Sequence, residues 1–268
     1  MLTGATRLVG LIGSPVAESL SPRMQNAAFA ARGLDWAYVP LPVEADDLEA
    51  AVAGLPALGF AGANVTVPYK TAVLAYCDEL DKFAERAGSV NTIVVRDKRL
   101  HASSTDGLAV AGAVHAEGAR VLILGAGGAA QAIATALVDA GAAAITLAAR
   151  KADQAKGLAL RIRTIFPDHD VDADEAWPPQ TEDVTLIVNA TPMRDVPVVE
   201  LRAEHQVVEL AYSADGKETG LVVAAREAGC KTVVDGLEIL LRQGAASFER
   251  WTGLSAPADV MRAALRAP

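Results

Sequence analysis

V-L-I-L-G-A-G-G, residues 121–128, is an apolar run that breaks into closely spaced glycines. Four consecutive apolar residues suit a strand covered on both faces, and the A-A-Q-A-I-A-T-A-L-V-D-A that follows reads as a helix ending at Gly141. Glycines at 125, 127 and 128 let the turn close and let the backbone reach a pyrophosphate, whose charge is favoured by the free amides and the dipole at the helix start. Ala126 and Ala129 in the same turn are candidate cofactor-binding positions, and Ala130 takes the third fingerprint position, where alanine is tolerated. The stretch reads as a dinucleotide-binding turn, although a strand, a glycine turn and a helix also occur with no nucleotide.

A second βα unit strengthens that reading. Residues 143–149 (A-A-I-T-L-A-A) form the next expected strand, and at its end, where an NAD-binding chain carries an acid for the ribose hydroxyl, stand Arg150 and Lys151. Two cations and no carboxylate favour a 2′-phosphate, hence NADP(H). The same pair also suits a solvated opening of a surface helix.

The chain has 268 residues, 51% hydrophobic and 21% charged, enough for one large or two ordinary domains with a sizeable core. A formal net charge of −9 argues against nucleic acid or an anionic membrane as partner. A small anionic substrate would then need local hydroxyls or cations. Cys77 and Cys230 sit in apolar surroundings and read as buried free thiols in a reducing, cytoplasmic setting. The apolar run at 8–12 is too short for a secretion signal and reads as a strand, and no stretch approaches the roughly 20 apolar residues of a membrane span. The histidines at 101, 115, 169 and 205 lack metal-ligand spacing, so no metal is expected.

From residue 7 to 100, short apolar runs alternate with helical patterns: strands near 7–13, 36–41 and 60–65, and helices from Pro22 and from about 45. Such alternation implies parallel βαβ packing. Ser21, just before Pro22, is placed to cap its helix. A helix over 105–117 is expected to lead into the dinucleotide half, with strands near 120–124, 144–149, 184–189, 206–210 and 231–234. Residues 167–183, rich in Asp and Pro, read as a loop with at most one short strand. After Gly236 the chain turns helical, with Leu237, Leu240, Leu241, Gly244, Ala245, Phe248 and Trp251 on one stripe. That segment lacks a strand of its own and is expected to pack back on the first half. The expected division is a discontinuous catalytic domain, 1–104 with 237–268, and a dinucleotide domain, 105–236, with ligands in a cleft between them.

Four polar clusters interrupt this apolar chain: G-S-P-V-A-E-S-L-S-P-R-M-Q-N at 13–26, G-A-N-V-T-V-P-Y-K at 62–70, G-S-V-N-T at 88–92 and S-T-D-G at 104–107. Loops at the carboxyl ends of parallel strands converge on one crevice, so clusters far apart in sequence can meet. Together with N-A-T-P-M at 189–193, E-L-A-Y at 209–212 and D-G-L-E-I-L-L-R-Q-G-A-A-S-F-E-R-W-T-G at 235–253, they span almost the whole chain and resemble the shikimate dehydrogenase family. The resemblance implies an α/β, two-domain fold, an N-terminal αβ catalytic domain plus a Rossmann-type doubly wound NADP-binding domain. It also implies reversible reduction of 3-dehydroshikimate to shikimate with NADPH, within chorismate and aromatic amino acid biosynthesis.

On that resemblance Lys70 and Asp106 take the positions of the catalytic pair. The chemistry agrees. Hydride delivery to a ketone leaves an alkoxide that needs a proton, and oxidation of the alcohol needs a base for the same proton. A lysine in a dry cleft suits such exchange, and a carboxylate beside it orients it and offsets part of its desolvation. Taken singly, Lys70 also fits a solvated lysine after Pro68, and Asp106 a plain helix cap favoured by the dipole. The resemblance further gives Ser19 and Ser21 to the substrate carboxylate, and Thr66, Asn91, Tyr212 and Gln243 to its other contacts. Beside the nicotinamide it sets Leu210 and Gly236, with Asn189, Ala190 and Thr191 facing the cofactor.

The chain also departs from the family's pattern. Glu18 and Gln25 stand where the family usually has histidine, and Ser104 where it has asparagine. Ala149 and Gln154 replace the asparagine and second arginine of the NADP loop, and Arg194 and Asp195 replace a glycine and a methionine. A carboxylate at 18 would repel the substrate's own unless it points to solvent. Quinate or aminoshikimate dehydrogenation, with NAD as an alternative cofactor, therefore stays open, as does a non-catalytic nucleotide or metabolite sensor. A monomer or homodimer is expected.

Overall fold

The computed structural model describes residues 2–194 and 199–267, and they fall into two compact units: Met1–Thr105 with Leu240–Pro268, and Asp106–Ile239. In the first unit the chain runs β1 (Arg7–Gly13), α1 (Ser21–Ala31), β2 (Trp36–Pro42), α2 (Leu48–Ala57), β3 (Phe60–Val65), β4 (Glu79–Leu80), α3 (Lys82–Ala87), β5 (Thr92–Arg96) and β6 (Arg99–Ser103). Its sheet has the order β2-β1-β3-β5-β6-β4.

The expected parallel packing holds for β1 with β2 and β3, and for the short β4 with β6. β5 lies antiparallel to β3 and pairs with β6 in a hairpin. Its two turn residues, Asp97 and Lys98, have φ of 51° and 62°. Left-handed backbone at both central positions matches the twist of the flanking strands, which is what a two-residue hairpin requires. The hairpin escaped the sequence reading because Asp-Lys lacks the Asn-Gly chemistry that marks such turns.

A second correction concerns α1. Its cap is Leu20, in helical conformation and without a side-chain hydrogen bond, so Ser21 is already helical. The Ser21 N–H is instead taken by the Ser19 hydroxyl at 3.2 Å.

In the second unit α4 (Asp106–Ala111) precedes β7 (Arg120–Leu124), α5 (Gly128–Asp139), β8 (Ala144–Ala148), α6 (Ala152–Ile165), β9 (Asp170–Asp174), β10 (Leu186–Asn189), β11 (Gln206–Glu209), α7 (Gly220–Glu227) and β12 (Thr232–Val234). The helix expected over 105–117 ends at Ala111. Beyond Gly112 the chain is held by a side chain instead: Gln206 accepts from the His115 N–H at 2.9 Å and donates to its carbonyl at 2.8 Å. A Cβ on Gly107 would collide with the Ala132 carbonyl, so α4 lies tight on α5.

The six strands are all parallel, in the order β12-β11-β10-β7-β8-β9. The order reverses between β7 and β10, the switch point outside which a doubly wound sheet binds its ligand. β7 is apolar throughout because both its faces are covered: Val121 and Ile123 enter the larger core with Ile133, Leu137 and Ile145, while Leu122 and Leu124 pack with Ala148 on the other side.

α8 (Gly236–Thr252) starts in the second unit and continues into the first, followed by α9 (Ala258–Arg266). Within the first unit Phe248 stacks on Phe29 at 5.5 Å, and the Trp251 indole donates to the Ile93 carbonyl at 2.9 Å. The Arg23 guanidinium donates to the carbonyls of Leu265 and Ala267, satisfying acceptors at the end of α9 that the helix itself leaves open. Cys77 and Cys230 are free and half-buried, and burial pushes the Cys77 thiol up to about 12, which suits an inert structural cysteine.

Candidate active site

In the first unit the strand directions bring the four polar segments to one edge of the sheet. β1 and β3 are parallel, so the segments after Gly13 and Val65 leave side by side: Ser14 N–H donates to the Val67 carbonyl at 3.1 Å. A Cβ on Gly13 would collide with Thr66. The 88–92 segment precedes β5, not follows it, and reaches the same edge because β5 runs antiparallel to β3. There Val90 N–H donates to the Lys70 carbonyl at 2.8 Å, and Asn91 N–H to the Ser103 carbonyl at 3.1 Å. Lys70 is half-buried, as are Ser19 and Thr66, while Ser21 is buried.

Asn91, 2% exposed, is the junction of this edge. Its Nδ2 donates to the Thr105 hydroxyl at 2.8 Å and to Gln243 Oε1 at 3.3 Å, and its Oδ1 accepts the Thr105 N–H at 2.9 Å. The far end of the Gln243 amide donates to the Leu240 carbonyl at 2.9 Å. Behind them stands a second tier. The Asn64 amide donates to the hydroxyls of Thr92 at 3.2 Å and Ser247 at 3.1 Å and accepts from the Tyr38 hydroxyl at 2.8 Å. Glu18 is exposed. Gln25 is fully buried; its Nε2 donates to the Gly244 carbonyl at 2.9 Å, while its Oε1 and the Ser104 hydroxyl have no partner among the described residues.

In the second unit Asp106 opens α4 and is 6% exposed, and Tyr212 is half-buried after β11. The turn from β7 into α5 fits a pyrophosphate. Gly125 has φ of +115°, and a Cβ there would press on the Ala190 carbonyl at 3.1 Å. Gly127 caps α5 in extended backbone with no side-chain hydrogen bond and no acidic residue in the first turn. Nothing lies within 4 Å of where its Cβ would be, and Gly127 is exposed, with Gly128 and Ala129 half-buried after it. Ala126 is half-buried beside them, and Arg150 and Lys151 are both exposed at the end of β8, Lys151 as the cap of α6.

At the end of β10, Asn189 Oδ1 accepts from the Thr191 N–H at 3.0 Å and hydroxyl at 2.7 Å, with Ala190 between them. A Cβ on Gly236 would collide with the carbonyls of Ala211 and Leu210, so only glycine lets α8 start there. Asp195 lies outside the described residues, and nothing in the structure explains Arg194.

Three family models match: the shikimate dehydrogenase substrate binding domain over residues 11–93, shikimate / quinate 5-dehydrogenase over 108–172 and the shikimate 5'-dehydrogenase C-terminal domain over 236–266. A protein of Anaeromyxobacter sp. (strain Fw109-5) named shikimate dehydrogenase (NADP(+)) is 42% identical, over 100% of this chain and 99% of its own. The chain belongs to the shikimate dehydrogenase family.

Solved structures agree. A shikimate dehydrogenase crystallised with NADP+ superposes with a TM-score of 0.89 at 34% identity, covering 99% of this chain and 96% of that one. The 5-ketofructose reductase of Gluconobacter sp. strain CHM43 does so at 0.85 and 32%, covering 98% and 99%. Among the described residues of this shikimate dehydrogenase family member, no group of three or more His, Cys, Asp or Glu is placed to hold a metal, and no helix is long and apolar enough to cross a membrane. Sequence reasoning left two parts of the site without a role: the Asn64-Thr92-Ser247 tier, although Asn64 and Thr92 lie in the polar segments at 62–70 and 88–92, and the buried Glu209.

Proposed function

We propose that this family member is an NADP-dependent shikimate dehydrogenase that interconverts 3-dehydroshikimate and shikimate. The observation that carries the proposal is the Asn91 junction: neutral amides and hydroxyls of three separate segments, those of Asn91, Thr105 and Gln243, collect at the edge that also carries Lys70. A polyol acid bound by a protein of net charge −9 needs such neutral donors and acceptors.

In this proposal Ser19 and Ser21 hold the substrate carboxylate, and Thr66, Asn91, Gln243 and Tyr212 hold its hydroxyls. Lys70 gives a proton to the oxygen of the reduced carbonyl and takes it back in the reverse direction, with Asp106 as its anionic partner. Gly125, Ala126, Gly127, Gly128 and Ala129 cradle the pyrophosphate, Arg150 and Lys151 meet the 2′-phosphate, and Asn189, Ala190, Thr191, Leu210 and Gly236 border the nicotinamide. Bound NADP supplies or accepts the hydride. The working form is a monomer or homodimer in the cytoplasm, and the domain roles follow the two units.

The test offers purified protein shikimate, quinate, aminoshikimate and fructose, each with NADP+ and with NAD+, and follows the reduced nicotinamide. Shikimate with NADP+ is expected to give the highest kcat/KM. Faster oxidation of fructose or quinate, or no reduction with shikimate, overturns the proposal.

A further inference from the structure

Glu209 ends β11 with no solvent exposure, and burial pushes its carboxyl up to about 7 against the hydrogen bonds it accepts. Its partners are all neutral. Asn189 Nδ2 donates to Oε1 at 2.9 Å and less closely to Oε2 at 3.1 Å, Oε1 also accepts from the Ala211 N–H at 2.8 Å, and Oε2 accepts from the Thr219 hydroxyl at 3.1 Å. These bonds lead in two directions. Through Asn189, whose Oδ1 holds the Thr191 N–H and hydroxyl, the carboxyl fixes residues 189–191, and those lie against Gly125 in the glycine turn. Through Ala211 it fixes the backbone on which Gly236 rests.

We infer that Glu209 is a positioning residue for the nicotinamide end of the dinucleotide: one buried carboxyl joins the strand ends at 189–191 and 210–211 that border that ring. The inference rests on the NADP reading above. Its physical basis is the handedness of the Asn189 amide. With Oε1 as acceptor, only Nδ2 can face Glu209, so Oδ1 must face Thr191. Without that acceptor Nδ2 keeps only its 3.3 Å bond to the Met193 carbonyl, and the grip of Oδ1 on the Thr191 N–H and hydroxyl is weakened. The adenosine end, at Arg150 and Lys151, has no part in this network.

Glutamine at 209 retains Oε1 for Asn189 and Ala211 and offers its amide to the Thr219 hydroxyl oxygen, so Glu209→Gln is the conservative variant. Leucine removes both acceptors at similar volume. Calorimetric dissociation constants are measured for NADPH and for adenosine 2′,5′-bisphosphate, which lacks the nicotinamide end. Glu209→Leu is expected to weaken NADPH by roughly tenfold or more, with adenosine bisphosphate unchanged within about twofold, and Glu209→Gln to keep both within about threefold. Equal weakening of both ligands in Glu209→Leu, or of neither, overturns the inference. Should that variant not fold, Thr219→Val, which removes one donor to the same carboxyl, is expected to weaken NADPH by roughly threefold and leave the bisphosphate unchanged. Equal loss or no change there is the contrary result. Wild-type protein that fails to bind NADPH at all overturns the NADP reading instead.

Discussion

Arg150 and Asn91 represent two kinds of residue in this chain, one exposed and the other buried at 2%. An exposed arginine at the end of β8 acts through charge alone. Arg150→Asp is expected to weaken NADPH far more than NADH, because the 2′-phosphate loses a cation and meets a like charge. Titration of both cofactors against the variant checks this, and an unchanged ratio contradicts it. Both stood out in the sequence, Arg150 in the charged break after β8 and Asn91 in the polar break that leads into β5. Glu209 was not, because its partners at 189, 211 and 219 come from three separate segments, and only the folded sheet brings them together. Gln25 and Ser104 were legible as departures, but their buried, partnerless oxygens appear only in the fold.

Elements with strong periodicity or a fully buried apolar run were read correctly, as with β7 and the α8 stripe. The failures lie where tertiary contacts override local pattern. α4 stops at Ala111 because Gln206 holds the following backbone, and β5 with β6 forms a hairpin around Asp97 and Lys98. That turn offers a direct check. Both residues adopt φ above +50°, where a side chain is strained and glycine is not. Lys98→Gly is expected to stabilise the protein by about 1 kcal/mol, seen as a rise in Tm. A fall in Tm would show that the Lys98 side chain contributes more than its backbone costs.

At the scale of the whole molecule, the buried Glu209 links folding to pH. Its carboxyl titrates at about 7 in the folded protein against 4.5 as reference, so between those values the folded state holds a proton the unfolded state has lost. Stability from this group is therefore fully present below pH 4.5 and lost as pH rises to 7. The difference between wild type and Glu209→Gln is expected to shift by about 3 kcal/mol over that range, against the wild type at high pH. Chemical denaturation of both proteins across the range checks it, and a constant difference contradicts it. Each of the two units has its own sheet, and Lys70, in the first, is the group through which the proposed proton transfer runs. The most direct test is turnover of shikimate with NADP+ by wild type and Lys70→Ala, with shikimate binding measured beside it. The expected result is an active wild type and a variant that binds shikimate but turns over roughly 10²- to 10⁴-fold more slowly. An inert wild type, or a variant at the wild-type rate, would contradict it.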